Sequence, residues 1–331
     1  MGIWLHSVDD QPSWSYTLDM KEITIIHQDH HLLVINKPAG VVIHPTYKHA
    51  GGTMWNTLLA VLEVQGGDDW RPPELPDQPE WAAAPEDVKV RLREKRRERV
   101  WKEEGLLPRP CLLHRLDKDT SGVVVLARSE RARRHFIRQF EEHTIVKRYF
   151  AVVQSGAPDW SRPRTTFIMR RWGEGVDEIK LDMPSFLLSP GDEFVLDGPL
   201  QRDPDDRRRC IVGPEGRQAT TYLKTLAVEG DFALLEVRPI TGRTHQIRAH
   251  LAALGCAIVG DQTYALLAKA GTPHAALKRQ FLHAYSLELR RYPDNAVRTF
   301  VAPMADDLRL WMERYSPALW QAWHTMEETS P

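Results

Sequence analysis

One stretch of this chain gathers most of the groups that could do chemistry: His114-Arg115-Leu116-Asp117-Lys118-Asp119-Thr120-Ser121-Gly122. It lies between a Pro-containing lead, Pro108-Arg109-Pro110, and the apolar run Val123-Val124-Val125-Leu126-Ala127. Asp117 is therefore expected on a loop at a sheet edge, where a rigid framework presents functional groups. Polar groups concentrated beside an apolar strand must hydrogen-bond one another if they are buried. By themselves the nine residues allow two readings, a polar turn or a loop built around a working carboxylate. A protein-kinase reading of His-Arg-Asp is set aside. Leu116 separates Arg115 from Asp117, and the chain has no GxGxxG run and no Asp-Phe-Gly.

A second segment, residues 238–251, runs Arg-Pro-Ile-Thr-Gly-Arg-Thr-His-Gln-Ile-Arg-Ala-His-Leu. Gly242 can turn the chain into a helix expected over residues 244–254. Along it Gln246 and His250 stand at i, i+4, as do Thr244 and Arg248, while Ile247 and Leu251 supply a packing side. His245 and His250 are not at metal spacing and have no Cys or acidic neighbour, so no metal site is expected. An amphipathic helix with ordinary surface arginines accounts for the same residues.

The elements that must position these segments read as follows. Residues 1–22 form a short arm that Trp4 and Trp14 could dock. Residues 23–26 and 32–36 are short strands around the turn Gln28-Asp29-His30. Lys37-Pro38-Ala39-Gly40 ends the second, because Pro38 cannot donate to a ladder and Gly40 permits unusual backbone angles. Residues 41–44 resume extended structure, and residues 53–62 are a helix with Leu58, Leu59 and Leu62 on one side. Residues 64–110 read as an insertion. They begin with Gly66-Gly67-Asp68-Asp69 and several prolines and continue through the charge-dense stretch 86–104, a solvent-exposed helix or a disordered excursion.

Residues 123–127 are a buried strand. Ser129 caps the next helix, whose apolar stripe is Ala132, Phe136, Ile137 and Phe140. Strand 149–154 follows, then short strands and loops over 155–215. Strands 220–227 and 232–237 turn at Glu229-Gly230-Asp231. Strand 282–289 and a C-terminal helix over 308–324 complete the chain. There is no internal repeat and no regular strand–helix alternation, which predicts an α+β fold with a largely antiparallel sheet.

The bulk numbers are those of an ordinary globular protein: 331 residues, 42% hydrophobic and 27% charged. No apolar run is long enough to span a bilayer, no signal peptide is read, and no membrane partner is expected. Cys111, Cys210 and Cys256 form no CxxC pair, so free thiols in a reducing, cytoplasmic setting are expected. The net charge of −1 gives no global sign of a nucleic-acid partner. Arginines nevertheless cluster at Arg131, Arg133, Arg134 and Arg138, at Arg162, Arg164, Arg170 and Arg171, and at Arg207 to Arg209, and a neutral protein can carry one basic face.

Taken together, the segments resemble the signature motifs of the RluA-type RNA pseudouridine synthases. The run from His114 to Gly122 matches the catalytic motif at its defining positions. Lys147-Arg148-Tyr149-Phe150-Ala151 resembles the tyrosine motif, and the run from Gly242 to Arg248 the third motif. Val259-Gly260-Asp261 with Tyr264, Asn36-Lys37-Pro38-Ala39-Gly40 and Leu282-His283-Ala284 also fit. The likeness covers about residues 23–310.

The resemblance implies a pseudouridine synthase fold, with a central sheet flanked by helices and an active-site cleft. It implies isomerisation of uridine in structured RNA without a cofactor or metal. Residues 23–331 would be the catalytic domain, acting as a monomer, and the 22 residues before it are too few for the S4-type domain of many relatives. Asp117 is implied as the catalytic carboxylate, which must be ionised to attack. Burial alone would raise its pKa, and a neighbouring guanidinium offsets this. Arg248 matches the family's arginine that pairs with that carboxylate. Tyr149 matches the tyrosine that stacks on the target base, and Ile247 an apolar position of the base pocket. Arg115 is implied to reach into the RNA, and His114 and Arg243 to contact substrate. The motifs do not separate ribosomal from transfer RNA. The other reading is a non-catalytic RNA-binding or RNA-folding factor that keeps the fold, against which the intact set Asp117, Tyr149 and Arg248 argues.

Overall fold

The structure is a computed structural model. It describes residues 15–18, 21–43, 53–55, 57–58, 79–93, 95, 106–156, 159–171, 179–180, 188–265 and 272–329. Two compact units divide the chain. The first is Met1–Lys118, Val123–Ile145 and Glu288–Val301, and the second is Asp119–Gly122, Val146–Leu287 and Ala302–Pro331.

In the first unit, β1 (Ser15–Leu18) pairs antiparallel with β2 (Lys21–Gln28), and β2 with β3 (Leu32–Lys37). Residues 15–18 of the expected arm are laddered strand, and Trp4 and Trp14 lie outside the described residues. The β2–β3 turn is made by Asp29, whose Oδ1 accepts from the amides of His31 (2.7 Å) and Leu32 (2.8 Å). An Asp side chain closing on the backbone two and three residues ahead fixes such a turn. Residues 41–43 are not strand. The carbonyls of Val42 and Ile43 instead accept from the amides of Met54 and Trp55, at the start of the expected helix. Leu59 and Leu62 lie outside the described residues.

β4 (Leu106–Leu112) pairs antiparallel with β5 (Ser121–Ser129), with a register shift between Leu106 and Cys111. Residues 106–110, read above as the end of the insertion, are therefore strand. The irregular register accommodates Pro108 and Pro110, which could not sit in an unbroken ladder. Residues 86–93, in the charge-dense part of the insertion, are helical and mostly exposed. Every residue of β5 is buried, as its β-branched run requires. Ser129 caps α1 (Glu130–Glu141) by accepting from the Ala132 amide at 3.3 Å. This helix buries Ala132, Phe136 and Gln139, while Ile137 and Phe140 are half-buried.

The second unit is built on antiparallel strands: β6 (Val146–Ser155), β7 (Ile168–Arg171), β8 (Ile179–Lys180), β9 (Glu193–Asp197), β10 (Leu200–Arg202), β11 (Cys210–Val212), β12 (Thr220–Glu229) and β13 (Phe232–Pro239). β13 lies between β6 and β12, β12 continues to β9, and β9 to β7. Glu229 pairs with Phe232 across the two-residue turn Gly230-Asp231, with Gly230 at φ 57°. Only at the mirror-image angles of such a turn do the strands keep their twist. α2 (Gln246–Ala253), β14 (Cys256–Ile258), α3 (Pro273–Ala276) and β15 (Leu282–Arg290) follow; β16 (Val297–Val301) belongs to the first unit. β15 runs parallel to β5 at His283↔Ser121. The fold is thus α+β with mostly antiparallel pairing.

Two helices depart from expectation. α2 starts at Gln246, because His245 is left-handed (φ 55°), so Thr244 and His245 precede the helix. The C-terminal helix is two, α4 (Asp306–Tyr315) and α5 (Pro317–Thr329), broken at Ser316. Proline excludes helical geometry from the residue before it, and Ser316 is at φ −153°, ψ 70°. Trp323 of α5 packs edge-on against Phe150 and Tyr285, with ring centres 4.3 and 5.1 Å away.

Candidate active site

Asp117 stands on the loop between β4 and β5. Leu116 beside it is 7% exposed and anchors the loop in the core, Asp117 is half-buried, and Arg115 is exposed. His114 Nε2 accepts from the Val125 amide at 3.1 Å, so the neutral ring carries its proton on Nδ1. The same ring lies 5.3 Å from that of Phe140. His114 is thus tied to the β5 backbone, which holds the start of the loop.

The end of the loop is held by a lysine. Lys37 is fully buried, and its Nζ donates to the carbonyls of Pro38 (2.9 Å), Val41 (3.0 Å) and Lys118 (2.9 Å). An ammonium has three donors, and here each meets an acceptor, which is what its burial requires. The Lys118 carbonyl also accepts from the Gly40 amide at 2.9 Å, with Gly40 at φ 80°. The motif around Lys37 therefore grips the main chain one residue after Asp117.

Residues 119–122 belong to the second unit, where their partners are structural. The Asp119 carbonyl accepts from Arg279, and Thr120 Oγ1 from Gln280 Nε2. His283 Nε2 faces the Ala302 carbonyl at 3.1 Å and so donates, which leaves Nδ1 to accept from the Ser121 hydroxyl at 2.9 Å. Burial pushes the His283 pKa down to about 4, in keeping with a neutral ring. Gly122 is at φ 119°, and a Cβ there would meet the Ala284 oxygen at 2.1 Å. Thr120, Ser121 and Gly122 are accordingly framework parts of the motif.

The second unit also carries Tyr149, Ile247, Arg248 and Arg243. Tyr149 sits on β6 opposite Val237 and is 9% exposed. Ile247 and Arg248 are buried on α2. Arg248 donates from Nε to Asp261 Oδ2 (2.6 Å) and from Nη2 to Oδ1 (2.9 Å), and its guanidinium lies 4.9 Å over the Tyr264 ring. Asp261 Oδ1 also accepts from the amides of Thr263 and Tyr264. The Tyr264 hydroxyl accepts from the Cys210 amide (2.6 Å) and donates to its carbonyl (3.0 Å). Asp261 is the residue that sequence reasoning passed over. A buried arginine calls for a carboxylate, and Asp261 was already visible in the Gly-Asp motif.

Gln246 fixes the turn ahead of α2. Its Oε1 accepts from the Thr241 hydroxyl (2.7 Å) and the Arg243 amide (2.9 Å), and its Nε2 donates to the Thr220 carbonyl (2.9 Å) and Thr221 Oγ1 (3.0 Å). Arg243 is exposed, and among the described residues its guanidinium is anchored through Nε, to the Gln218 carbonyl at 3.1 Å. Asp117, His114 and Arg115 thus share one loop of the first unit, and Tyr149, Arg243, Ile247 and Arg248 belong to the second. Among the described residues no cluster of three or more potential metal ligands occurs, and no helix is long and apolar enough to cross a membrane.

The family described as RNA pseudouridylate synthase matches residues 31–253, a span that holds the Asp117 loop, Tyr149 and α2. The chain belongs to that family. It is 34% identical over 275 residues to an uncharacterized RNA pseudouridine synthase of Chloroflexus aurantiacus, covering 83% of this chain and 64% of that protein. It is 31% identical over 315 residues to the ribosomal large subunit pseudouridine synthase D of Xylella fastidiosa, covering 92% of this chain and 73% of that protein. Among solved structures it is similar to human RNA pseudouridylate synthase domain containing 4, at 21% identity and a TM-score of 0.49, covering 88% and 92% of the two chains.

Proposed function

We propose that this protein isomerises specific uridines in structured RNA to pseudouridine, with Asp117 as the catalytic carboxylate. The reaction breaks the bond between N1 of the base and C1′ of the ribose and forms one between C5 and C1′; the proton on C5 leaves and N1 takes one up. No electron is gained or lost, so the chemistry asks for a carboxylate, a base pocket and an RNA-binding surface. The observation that carries this reading is the build of the Asp117 loop. Its start is tied to β5 through His114 and its end is gripped by Lys37, which leaves Asp117 half-buried on a fixed backbone.

Tyr149 stacks on the target base and takes part in the proton transfer, and Ile247 supplies an apolar wall. Arg248 is the guanidinium that favours the ionised carboxylate, and Asp261 orients it. Arg115, exposed at the loop tip, enters the space the uridine leaves. His114 orders the loop under the substrate, and Arg243 contacts the RNA backbone. Extruding the base costs about a few kcal/mol and is cheapest in loops and bulges.

Ribosomal RNA is the proposed substrate ahead of transfer RNA, on the strength of the Xylella relative's name. The protein is proposed to act as a monomer in the cytoplasm. Pseudouridine mapping in cells with and without the gene tests the substrate. Loss of one or more large-subunit sites is expected; loss of transfer-RNA sites alone would overturn that assignment.

A further inference from the structure

The unit that carries Tyr149 also holds a cation whose protein environment is incomplete. Lys147 is on β6, two residues before Tyr149, so the two side chains leave the same face of the sheet about 7 Å apart along the strand. It is half-buried, and among the described residues its Nζ has one acceptor, the Thr241 carbonyl, at 3.5 Å. That is the outer limit of a hydrogen bond. Two other lysines show what completion looks like. Lys37 meets three carbonyls at 2.9 to 3.0 Å, and Lys224 meets the Glu193 carboxylate at 2.7 Å.

The acceptor is itself immobilised. Thr241 belongs to the turn that the Gln246 amide ties to β12, so the carbonyl cannot move in to shorten the contact without breaking that set. Burial lowers the Lys147 pKa to about 8, and among the described residues no carboxylate offsets it. Two residues beyond Thr241, Arg243 is exposed, and among the described residues its guanidinium is held through Nε, to the Gln218 carbonyl. A half-buried ammonium with spare donors and no counter-charge among the described residues, two residues from an exposed guanidinium across the Thr241 contact, is a place for an anion.

We propose that Lys147 binds a non-bridging phosphate oxygen of the RNA strand, at the phosphodiester adjacent to the uridine that meets Tyr149, with Arg243 on the same backbone. The inference rests on the RNA reading above, because it takes Tyr149 as the base platform. It makes Lys147 a positioning residue: it sets where the strand lies and leaves the bond-making step to others.

The test is equilibrium binding of the full chain to an unmodified transcript of large-subunit ribosomal RNA over a salt series, alongside the single-turnover rate at saturating RNA. Each phosphate contact contributes about 0.7 to 0.9 to the slope of log affinity against log salt. Lys147→Met is expected to lower that slope by about one such contact and to weaken binding about tenfold near 0.1 M salt. Lys147→Arg should restore the slope, and the saturated single-turnover rate should stay within about threefold of wild type, a split that a merely structural role would not give. Lys147→Gln is a second neutral variant and should behave as Lys147→Met. A wild-type slope in both neutral variants would overturn the proposal alone. A wild-type protein that neither binds nor converts the RNA would overturn the RNA reading with it.

Discussion

Arg248 and Asp261 are joined by two hydrogen bonds, Nε to Oδ2 at 2.6 Å and Nη2 to Oδ1 at 2.9 Å, with both side chains buried. A two-pronged pair holds a guanidinium in one plane as well as in one place. Removing one member strands a buried charge, at a cost of about 3–5 kcal/mol. Asp261→Ala should therefore unfold at distinctly lower urea concentration than wild type. Arg248→Lys, which cannot form the fork, should lose most activity while binding RNA. Wild-type denaturation by Asp261→Ala would show that the pair contributes nothing.

Lys37→Met removes all three donors from the carbonyls of Pro38, Val41 and Lys118 at once. Losing the buried contact to the Val41 carbonyl costs about 1–3 kcal/mol, while the Lys118 carbonyl keeps the Gly40 amide. A lower denaturation midpoint is expected, with a fall in single-turnover rate of about tenfold or more and little change in RNA affinity. Weakened affinity at an unchanged rate would mean that Lys37 does not act through the Asp117 loop.

Glycine substitutions separate steric from conformational demands. Gly122→Ala places a methyl 2.1 Å from the Ala284 oxygen, and is expected to cost at least about 3 kcal/mol or to abolish soluble expression. Gly230→Asn has open space and needs only the left-handed angles that Asn tolerates, so its cost should stay within about 1 kcal/mol. Equal midpoints for the two variants in a thermal melt would contradict this contrast.

Two neutral histidines set a pH dependence. Burial holds His283 and His250 down to about 4, below the ordinary value of about 6.5 in an unfolded chain. Between these values the unfolded state binds more protons, so stability is fully present above about pH 6.5 and is lost as pH falls toward 4. Thermal midpoints measured from pH 7 to 4.5 should decline, and His283→Gln should decline less steeply. A variant with the wild-type slope would remove His283 from the account.

Local chemistry made much of this framework readable. The β-branched run at Val123 had to be a buried strand, Ser129 had to cap α1, and Gly230 had to turn a hairpin. Other features depend on partners that no local pattern encodes. Ser121 and Thr120 read only as members of a polar loop, and their hydrogen-bond partners are His283 and Gln280, some 160 residues away. Helical periodicity carried the reading past Ser316, although Pro317 was in view to break it. The left-handed His245 displaced Thr244 from a helix it seemed to share with Arg248 on spacing alone. Asp261 is 13 residues from Arg248, beyond the reach of any helical spacing rule.

The most direct measurement is tritium release from RNA labelled at C5 of uridine, comparing wild type with Asp117→Asn. The substitution keeps the shape of the side chain and removes the ionised oxygen. Wild type should release tritium and form pseudouridine, and Asp117→Asn should release none above background while still binding the RNA. Release by Asp117→Asn at a rate near wild type would contradict the assignment of Asp117 as the catalytic carboxylate.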